Sequence, residues 1–352
     1  MGGTGDLYDR SNGAMNKAAE PRSATAPGSA ATIGIVAIGR NEGARLEPCL
    51  TSLLSLTNRV VYADSESSDG SVAVARRLGV DVAVLTDDTP LSAAAGRAAG
   101  YQCLRSRFPE VELVQFIDGD CLLDADWLDT AERFLSLRPQ VAAVCGRRYE
   151  AHPAASVYNA LCDAEWDTPI GLARACGGDA LYRVAAYEAA GGFRADLLAG
   201  EEPELCGRLQ DEGWEVWRID ARMTEHDARM YSLGQWWRRS RRGGYGYAQV
   251  WDVTRKSPRS LYGRQLASAV SWVIALPLAI ALTASVLMRP WVLAAIPMAY
   301  AAQTLRIYLK IPSDLPHRLV QAGLTLLAKV PETLGAMRYL TSAKRPVTGT
   351  RL

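Results

Sequence analysis

The feature that most constrains the fold is an alternation of short apolar runs with helical patterns across residues 32–149. Runs of β-branched and apolar residues predict buried strands at 32–38, 60–63, 80–85, 111–117 and 141–149. The segments between them predict helices at 46–56, 71–78 and 92–108. Strands that alternate with helices predict an α/β fold with a mostly parallel central sheet covered on both faces.

Polar clusters follow three of the predicted strands, at residues 40–42, 64–69 and 118–120. Ligands in open α/β sheets bind beyond the carboxyl ends of the strands. A buried strand needs no acidic residues at its end for stability. The three clusters therefore predict one binding site at that edge of the sheet, with Arg40 and Glu42 from the first cluster in contact with the ligand.

Two carboxylates, Asp118 and Asp120, follow the predicted strand 111–117 and are separated only by Gly119. Glycine permits the tight turn that lets both carboxylates face one point. Hard oxygen ligands of this kind suit Mg²⁺ or Mn²⁺ that also holds substrate phosphates, and such an ion neutralises a diphosphate leaving group. Chance copies of this pattern are common in loops, but the strand before it and the neighbouring polar clusters favour a metal site.

The Ser- and Asp-rich segment 64–70 is a candidate nucleotide pocket. Asp64 would accept hydrogen bonds from a base edge or a ribose, and Ser65 and Asp69 would continue the pocket. The alternative is a turn held by bonds from side chain to backbone. Arg97 lies in a predicted helix of small residues, where it would contact a diphosphate in a bidentate manner; the alternative is an exposed surface arginine.

Three acidic residues, Glu201, Glu202 and Glu204, lie at the start of a predicted helix. Direct displacement by an acceptor hydroxyl needs a carboxylate to take its proton, and clustered acids raise each other's pKa. The alternative is that these residues only stabilise the helix N-terminus. His226 is either a further metal ligand or diphosphate contact, or a structural residue.

Aromatic and basic residues are combined in segment 235–242, just before a long apolar stretch. Four residues share one face of the predicted helix: Gln235, Arg238, Arg239 and Arg242. That face would meet a diphosphate or an anionic lipid-linked acceptor, while Trp236 and Trp237 would stack on a sugar or lie at a membrane interface. The alternative is a juxtamembrane belt that binds anionic lipid.

The C-terminal region is predicted to meet a membrane. Residues 266–288 carry no charge over a length that crosses a bilayer, and 291–309 form a second, shorter candidate span. Residues 317–340 predict an amphipathic helix at the interface. The basic residues that precede these spans predict a cytoplasmic catalytic side. The alternative is a buried helical subdomain in a soluble protein.

Composition narrows the class of protein. A formal net charge of +1 provides no global field for nucleic acid, so no nucleic-acid partner is expected. The seven cysteines include no CxxC pair, which argues against a disulfide framework and against a zinc site. We expect three regions: a disordered tail at 1–30, a catalytic domain at 31–250 and a membrane-associated helical region at 251–352.

These features together resemble the family 2 glycosyltransferases, which have the GT-A fold, over about residues 32–245. Five segments carry the resemblance: 35–42 with its Asn-Glu ending, 64–71, which is similar to the family's Asp-x-Ser-x-Asp-Gly loop, the D-x-D at 118–120, 177–193 with its Gly-Gly-Phe ending, and 200–209. The joint order and spacing of the five segments is more specific than any one of them.

The resemblance implies a GT-A (nucleotide-diphospho-sugar transferase) fold, followed by C-terminal transmembrane or interfacial helices. It implies an inverting displacement with Glu202 as the base, a position at which the family usually has Asp. The implied acceptor-binding residues are Gly178, Asp179, Glu201, Trp236 and Trp237. The implied ligands of Mg²⁺ or Mn²⁺ are Asp118, Asp120 and His226. The implied donor-binding residues are Arg40, Glu42, Asp64, Ser65, Asp69, Arg97, Asp118, Arg238 and Arg239.

The implied function is metal-dependent transfer of a sugar from a nucleotide-sugar donor to a lipid-linked or glycan acceptor. It would take place at the inner (cytoplasmic) membrane, in polysaccharide or glycolipid synthesis such as exopolysaccharide assembly. The Gln-x-x-Arg-Trp motif of processive members lacks its tryptophan here, which favours single-sugar transfer. Two alternatives stay open: a sugar-phosphate nucleotidyltransferase, which wants a Gly-rich loop after the first strand, and an inactive membrane scaffold that binds nucleotide-sugar.

Overall fold

Nine strands form one mixed sheet in the computed structural model, which describes residues 32–85, 90–312 and 315–342. The strands are β1 (Ile33–Gly39), β2 (Val60–Asp64), β3 (Asp81–Val84), β4 (Leu113–Asp118), β5 (Cys121–Leu123), β6 (Val141–Glu150), β7 (Gly171–Leu172), β8 (Ala180–Arg183) and β9 (Glu215–His226). Their order across the sheet is β3-β2-β1-β4-β8-β6-β9-β5, and β7 also pairs with β9.

The half of the sheet that carries the polar clusters is parallel. β1 lies between β2 and β4, and β2 also pairs with β3, all in parallel. Every residue of β2 is buried, because parallel strands are covered by helices on both faces. The predicted α/β sheet is confirmed, and all antiparallel pairs between the described strands involve β5, β7 or β8.

Thirteen α-helices accompany these strands in the described ranges. They are α1 (Leu46–Leu54), α2 (Ser71–Arg77), α3 (Ala93–Arg107), α4 (Trp127–Ser136), α5 (Val157–Trp166), α6 (Val184–Ala189), α7 (Glu201–Asp211), α8 (Leu233–Thr254), α9 (Gly263–Val270), α10 (Leu276–Val286), α11 (Ala295–Lys310), α12 (Arg318–Leu327) and α13 (Lys329–Ser342).

Local sequence explains where several helices begin and which face they bury. α1 buries Leu46, Cys49, Leu50 and Leu53, a spacing that places one apolar stripe against the sheet. Ser92 caps α3 by accepting a hydrogen bond from the backbone of Ala95. α8 begins with a capping box between Ser232 and Gln235 and continues to Thr254, beyond the domain boundary predicted at 250.

Two apolar helices follow α8 and leave most of their surface exposed. The first helix, Gly263–Val286, consists of α9, a π-helical segment at Ser271–Ala275 and α10. The second helix, Pro290–Lys310, consists of a 3-10 turn followed by α11. Both are long and apolar enough to cross a membrane by length and composition. Their exposed side chains, such as Leu278 and Leu282, do not fit the alternative of a buried helical subdomain.

The interfacial helix predicted at 317–340 is two helices, α12 and α13, which meet at Ala328. α13 packs lengthwise against α8 at two glycines. A Cβ atom on Gly335 would lie 2.0 Å from the backbone oxygen of Arg241, and one on Gly244 would lie 2.0 Å from that of Glu332. α13 therefore packs closely on α8 of the catalytic domain through these two glycines.

Candidate active site

A cleft of about 600 Å³ lies beyond the carboxyl ends of the parallel strands. Members of all three polar clusters line it. They are Arg40 and Glu42 after β1, Ser65 after β2, and Asp118 and Asp120 at the end of β4. Ser92, His226 and Arg242 also line it. The sheet topology brings these residues together, since the carboxyl ends of parallel strands share one edge.

Asp118 is paired with two arginines. Its side chain lies 2.8 Å from Arg97 Nη2 and 2.9 Å from Arg148 Nη2. Burial favours the neutral acid, but the two guanidinium charges outweigh burial and hold the pKa of Asp118 well below its usual value. Asp118 is therefore an anion whose charge is already balanced by protein cations.

Asp120 has different partners. Its Oδ2 lies 3.2 Å from His226 Nε2 and 3.3 Å from Arg45 Nη1. Burial again opposes ionisation, but the hydrogen bond from His226 and nearby positive charge outweigh it, so the pKa of Asp120 lies below its usual value. An ionised carboxylate beside an imidazole nitrogen is a suitable ligand pair for a divalent cation.

Strand pairing places His226 beside this turn. β5 and β9 pair in antiparallel register, with Cys121 opposite His226. The buried Nδ1 atom of His226 makes no hydrogen bond to the described residues and lies 3.8 Å from Glu150 Oε2. A metal-bound histidine normally directs its other ring nitrogen at a carboxylate. The geometry of Asp120, His226 and Glu150 therefore fits a metal centre.

Among the carboxylates that line the cleft, Glu42 has the pKa that is shifted furthest towards neutral pH. Burial and the neighbouring charge of Asp120 raise the pKa of Glu42 to about 7, against the lowering effect of the Arg40 backbone and Arg45. Its Oε2 accepts a hydrogen bond of 2.8 Å from Arg45 Nη2.

The segment 64–70 is locked to the loop after β1. Asp64 accepts hydrogen bonds from the Tyr62 hydroxyl at 3.1 Å and the Ser67 backbone at 2.8 Å, and it is buried. Asp69 accepts one from the Gly43 backbone at 2.8 Å. Asp64 thus stabilises its own turn, Asp69 connects that turn to the loop after β1, and Ser65 lines the cleft.

Arg97 is buried, contrary to the alternative of a surface arginine. It lies 2.8 Å from Asp118 Oδ1, 2.5 Å from Glu201 Oε1 and 3.6 Å from Glu202 Oε1. A Cβ atom on Gly178 would lie 2.6 Å from Arg97 Nη2 and 3.3 Å from both Asp118 Oδ2 and Glu202 Oε1. Arg97 therefore ties the acids of α7 to the end of β4, and Gly178 is the small residue that permits the contact.

The first-turn acids of α7 have separate environments. Burial and the charge of Glu202 raise the pKa of Glu201, although Arg97 opposes the shift. Glu204 instead pairs with Arg208 at 2.7 Å within the helix. Asp179 is buried and accepts hydrogen bonds from the Asp118 backbone at 3.1 Å and from Thr224 at 2.7 Å. Asp179 thus supports the end of β4 and does not face open solvent.

The arginines of the predicted basic face of α8 lie in different environments. Arg242 lines the cleft, whereas Arg238 is exposed outside it. Arg239 pairs with the buried Glu165 at 2.8 Å, because a buried carboxylate needs a cationic partner. The structure therefore does not support Arg239 as a cleft residue and points to Arg242 instead.

The two tryptophans of α8 are likewise drawn into packing. Trp236 is 2% exposed and packs with Tyr158, and the half-buried Trp237 joins the same apolar cluster. Neither lines the cleft, so stacking on a sugar there, as predicted, is not supported. Arg45, Cys121 and Arg148 are site residues that the sequence did not single out, since no local motif marks them.

Comparisons with known proteins found similar sequences. Residues 35–161 match the family model described as glycosyl transferase family 2. The succinoglycan biosynthesis protein ExoA of Rhizobium meliloti (strain 1021) is 28% identical over 192 residues, covering 50% of this chain and 56% of that protein. The match thus spans little more than half the length of that relative.

A solved structure has a similar fold. It is the mannosyltransferase PcManGT from Pyrobaculum calidifontis, determined in complex with GDP-Man and Mn²⁺. The TM-score is 0.55 at 17% identity, and the alignment covers 87% of this chain and 86% of that chain. At this identity the likeness shows the fold alone, and the predicted GT-A fold is confirmed.

Proposed function

We propose that this chain, whose residues 35–161 match the family 2 glycosyl transferases, is a glycosyltransferase that transfers one sugar from a nucleotide-diphosphate sugar to an acceptor hydroxyl with inversion. The observation that carries this proposal is the single cleft in which Asp118, Asp120 and His226 meet at the carboxyl ends of the parallel strands. Arg242 on α8 faces the same cleft and supplies a positive charge opposite the acids.

The donor would lie along the loops after β1 and β2. Arg40, Glu42 and Ser65 line the cleft there, and Asp64 and Asp69 keep the loops in place. Asp120 and His226 would hold Mg²⁺ or Mn²⁺, with Asp118 nearby, and that ion would neutralise charge on the nucleoside diphosphate. Arg242 would bind the diphosphate directly, since guanidinium groups match phosphate oxygens in geometry and charge.

Glu202 is the proposed base. Its carboxylate is buried beside the cleft, 3.6 Å from Arg97 Nη1, and would take the proton of the acceptor hydroxyl once the acceptor is bound. The acceptor oxygen would form a bond to the anomeric carbon as the bond from that carbon to the diphosphate oxygen breaks. A single displacement of this kind inverts the anomeric configuration, and the nucleoside diphosphate leaves with the electron pair.

The surroundings of the cleft support a membrane-linked acceptor. The two exposed apolar helices follow α8, whose residue Arg242 reaches the donor site. We propose that these helices lie in the cytoplasmic membrane with the catalytic domain on the cytoplasmic side, as the basic residues before them favour. The acceptor would be a lipid-linked or glycan molecule, and the name of the ExoA relative supports a role in polysaccharide synthesis.

A transfer assay on the full-length protein in lipid nanodiscs tests the function. UDP-glucose, UDP-galactose and GDP-mannose would be supplied with Mn²⁺ and membrane lipid extract, and both nucleoside diphosphate release and sugar incorporation would be measured. Asp120→Asn and Glu202→Gln should each lose at least about 100-fold in kcat. The exposed acids Asp126 and Glu212 provide matched controls, and Asp126→Asn and Glu212→Gln should retain wild-type rates.

The same assay separates the alternatives. A sugar-phosphate nucleotidyltransferase would release pyrophosphate from a nucleoside triphosphate, and an inactive scaffold would bind donor without turnover. Wild-type rates in the presence of a chelator, or in both Asp120→Asn and Glu202→Gln, would refute the proposed mechanism.

A further inference from the structure

Cys121 lies against the candidate metal centre although no step of the proposed transfer uses it. It is the first residue of β5, directly after Asp120, and its partner in register on β9 is His226. Directly paired residues of antiparallel strands have their side chains on the same face of the sheet. The backbone therefore places a thiol, a carboxylate and an imidazole together.

The distances between these groups suit one ion. Cys121 Sγ lies 3.7 Å from Asp120 Oδ1, and His226 Nε2 lies 3.2 Å from Asp120 Oδ2. The three ligand atoms all lie within 4.8 Å of one another. A tetrahedral ion bound at about 2.0–2.3 Å separates its ligands by roughly 3.3–3.7 Å, so small side-chain movements would complete the site.

We propose that Asp120, Cys121 and His226 form a mixed O, S and N site for a thiophilic divalent cation of the Zn²⁺ class. This proposal rests on the proposed function for the location of the metal centre, but it concerns binding of the ion and not sugar transfer. Sulfur and imidazole ligands favour Zn²⁺, whereas Mg²⁺ prefers oxygen ligands alone. The same cleft would therefore bind Zn²⁺ more tightly than Mg²⁺, and Zn²⁺ would compete with the ion that the donor needs.

Neighbouring side chains support this ligand set. Arg148 Nη2 lies 3.2 Å from Cys121 Sγ, so the sulfur already has a polar contact on the side of the cleft acids. The orphaned Nδ1 of His226 lies 3.8 Å from Glu150 Oε2, the arrangement expected when Nε2 binds a metal. Binding would convert the Cys121 thiol to a thiolate and release its proton to solvent.

This site differs from what the cysteine spacing predicts. The absence of a CxxC pair argued against zinc, because most structural zinc sites use closely spaced ligands. Here the ligands come from β5 and β9, which the sheet pairs although they are far apart in sequence. The site has three protein ligands and would leave its fourth position to water or to a phosphate oxygen, as in open zinc sites.

Cobalt spectroscopy tests the thiolate. The full-length, chelator-treated protein would be titrated with Co²⁺, and the near-ultraviolet charge-transfer band from thiolate to Co²⁺ would be recorded. We expect the band in the wild type and in Cys49→Ser, a variant of a buried thiol 3.8 Å from the Asp118 carbonyl and outside the ligand group. Cys121→Ser should lose the band and bind Zn²⁺ at least about tenfold more weakly by competition titration.

Several results would overturn the proposal. One is an equal band in Cys121→Ser, another is Co²⁺ binding by the wild type without any band, and a third is no Co²⁺ binding at all. If Cys121→Ser does not fold, zinc-edge X-ray absorption of the wild type decides: a sulfur neighbour at about 2.3 Å supports the site, and only oxygen and nitrogen neighbours refute it. A thiolate band in a protein that transfers no sugar would refute the proposed function but still support this metal site.

Discussion

At the scale of single residues, chemically similar side chains in and around the cleft have different partners. Asp118 is neutralised by Arg97 and Arg148, whereas Asp120 has the imidazole of His226 beside it. Two acids in one short motif are thus set apart by their partners. Two arginines of α8 differ in the same way: Arg239 forms an ion pair with Glu165, whereas Arg242 lines the cleft.

Arg242→Gln should weaken donor use, because a guanidinium group bound to phosphate contributes about 1.5–3 kcal/mol. We expect kcat/KM for the donor to fall at least about tenfold, measured with the nucleoside diphosphate release assay. Arg238→Gln on the same helix is the matched control, since Arg238 is exposed and lies outside the cleft. Equal losses in the two variants would remove the reason for preferring Arg242.

Glu42 predicts a pH dependence of stability. Its pKa rises to about 7 in the folded protein from an ordinary value of 4.5, so between these values the folded state binds more protons than the unfolded state. The free energy of unfolding should therefore decrease as pH rises from about 4.5 to 7, by up to a few kcal/mol from this residue. Urea unfolding of chelator-treated protein across this range should show a flatter pH dependence for Glu42→Gln, and an unchanged slope would contradict the assignment.

At the scale of elements, the close packing of α13 on α8 connects the C-terminal helices to the cleft. Gly335 approaches the backbone of Arg241, the neighbour of Arg242 in sequence. α8 also contacts Ala199, which lies just before the N-cap residue of α7: a Cβ atom on Gly246 would lie 2.8 Å from the Cβ atom of Ala199. The position of Arg242 therefore depends on a helix that lies outside the α/β core.

Gly335→Ala should destabilise the protein, because its new methyl group would lie 2.0 Å from a backbone oxygen. Overpacking typically costs about 1–3 kcal/mol, and we expect a lower Tm together with weaker donor use. Gly323→Ala in α12 is the control: no atom lies within 4 Å of its added Cβ, and the helix propensity of alanine should raise stability by up to about 1 kcal/mol. Effects of the same sign in both variants would contradict the close contact between α8 and α13.

Sequence patterns located the parallel half of the sheet to within a few residues, because doubly covered strands are nearly continuous apolar runs. They did not locate β5, which has three residues, or β9, in which arginines and acids interrupt the apolar residues. Arg45, Cys121 and Arg148 were missed for the same reason: their places in the cleft follow from strand order and pairing. The motif acids were found because they end buried strands, a signal that is local in sequence.

At the scale of the whole molecule, the exposed apolar helices need an apolar environment. Leu278 and Leu282 are 54% and 57% exposed in Gly263–Val286. Leu278→Arg with Leu282→Arg should reduce membrane association, since each arginine costs about 2.5–3.5 kcal/mol at the centre of a membrane helix. Flotation with liposomes measures this loss. Leu137→Arg with Leu172→Arg, at leucines that are each 68% exposed outside these helices, should leave flotation unchanged.

The central claim is that Asp120 and His226 couple a divalent cation to the diphosphate of the donor. Calorimetric titration of the full-length protein with UDP and GDP, each with Mn²⁺ and with chelator, tests it most directly. We expect Mn²⁺ to strengthen binding of one nucleotide at least about tenfold in the wild type, equivalent to about 1.4 kcal/mol. The gain should disappear in Asp120→Asn and in His226→Gln. Equal nucleotide affinity with Mn²⁺ and with chelator would contradict the account.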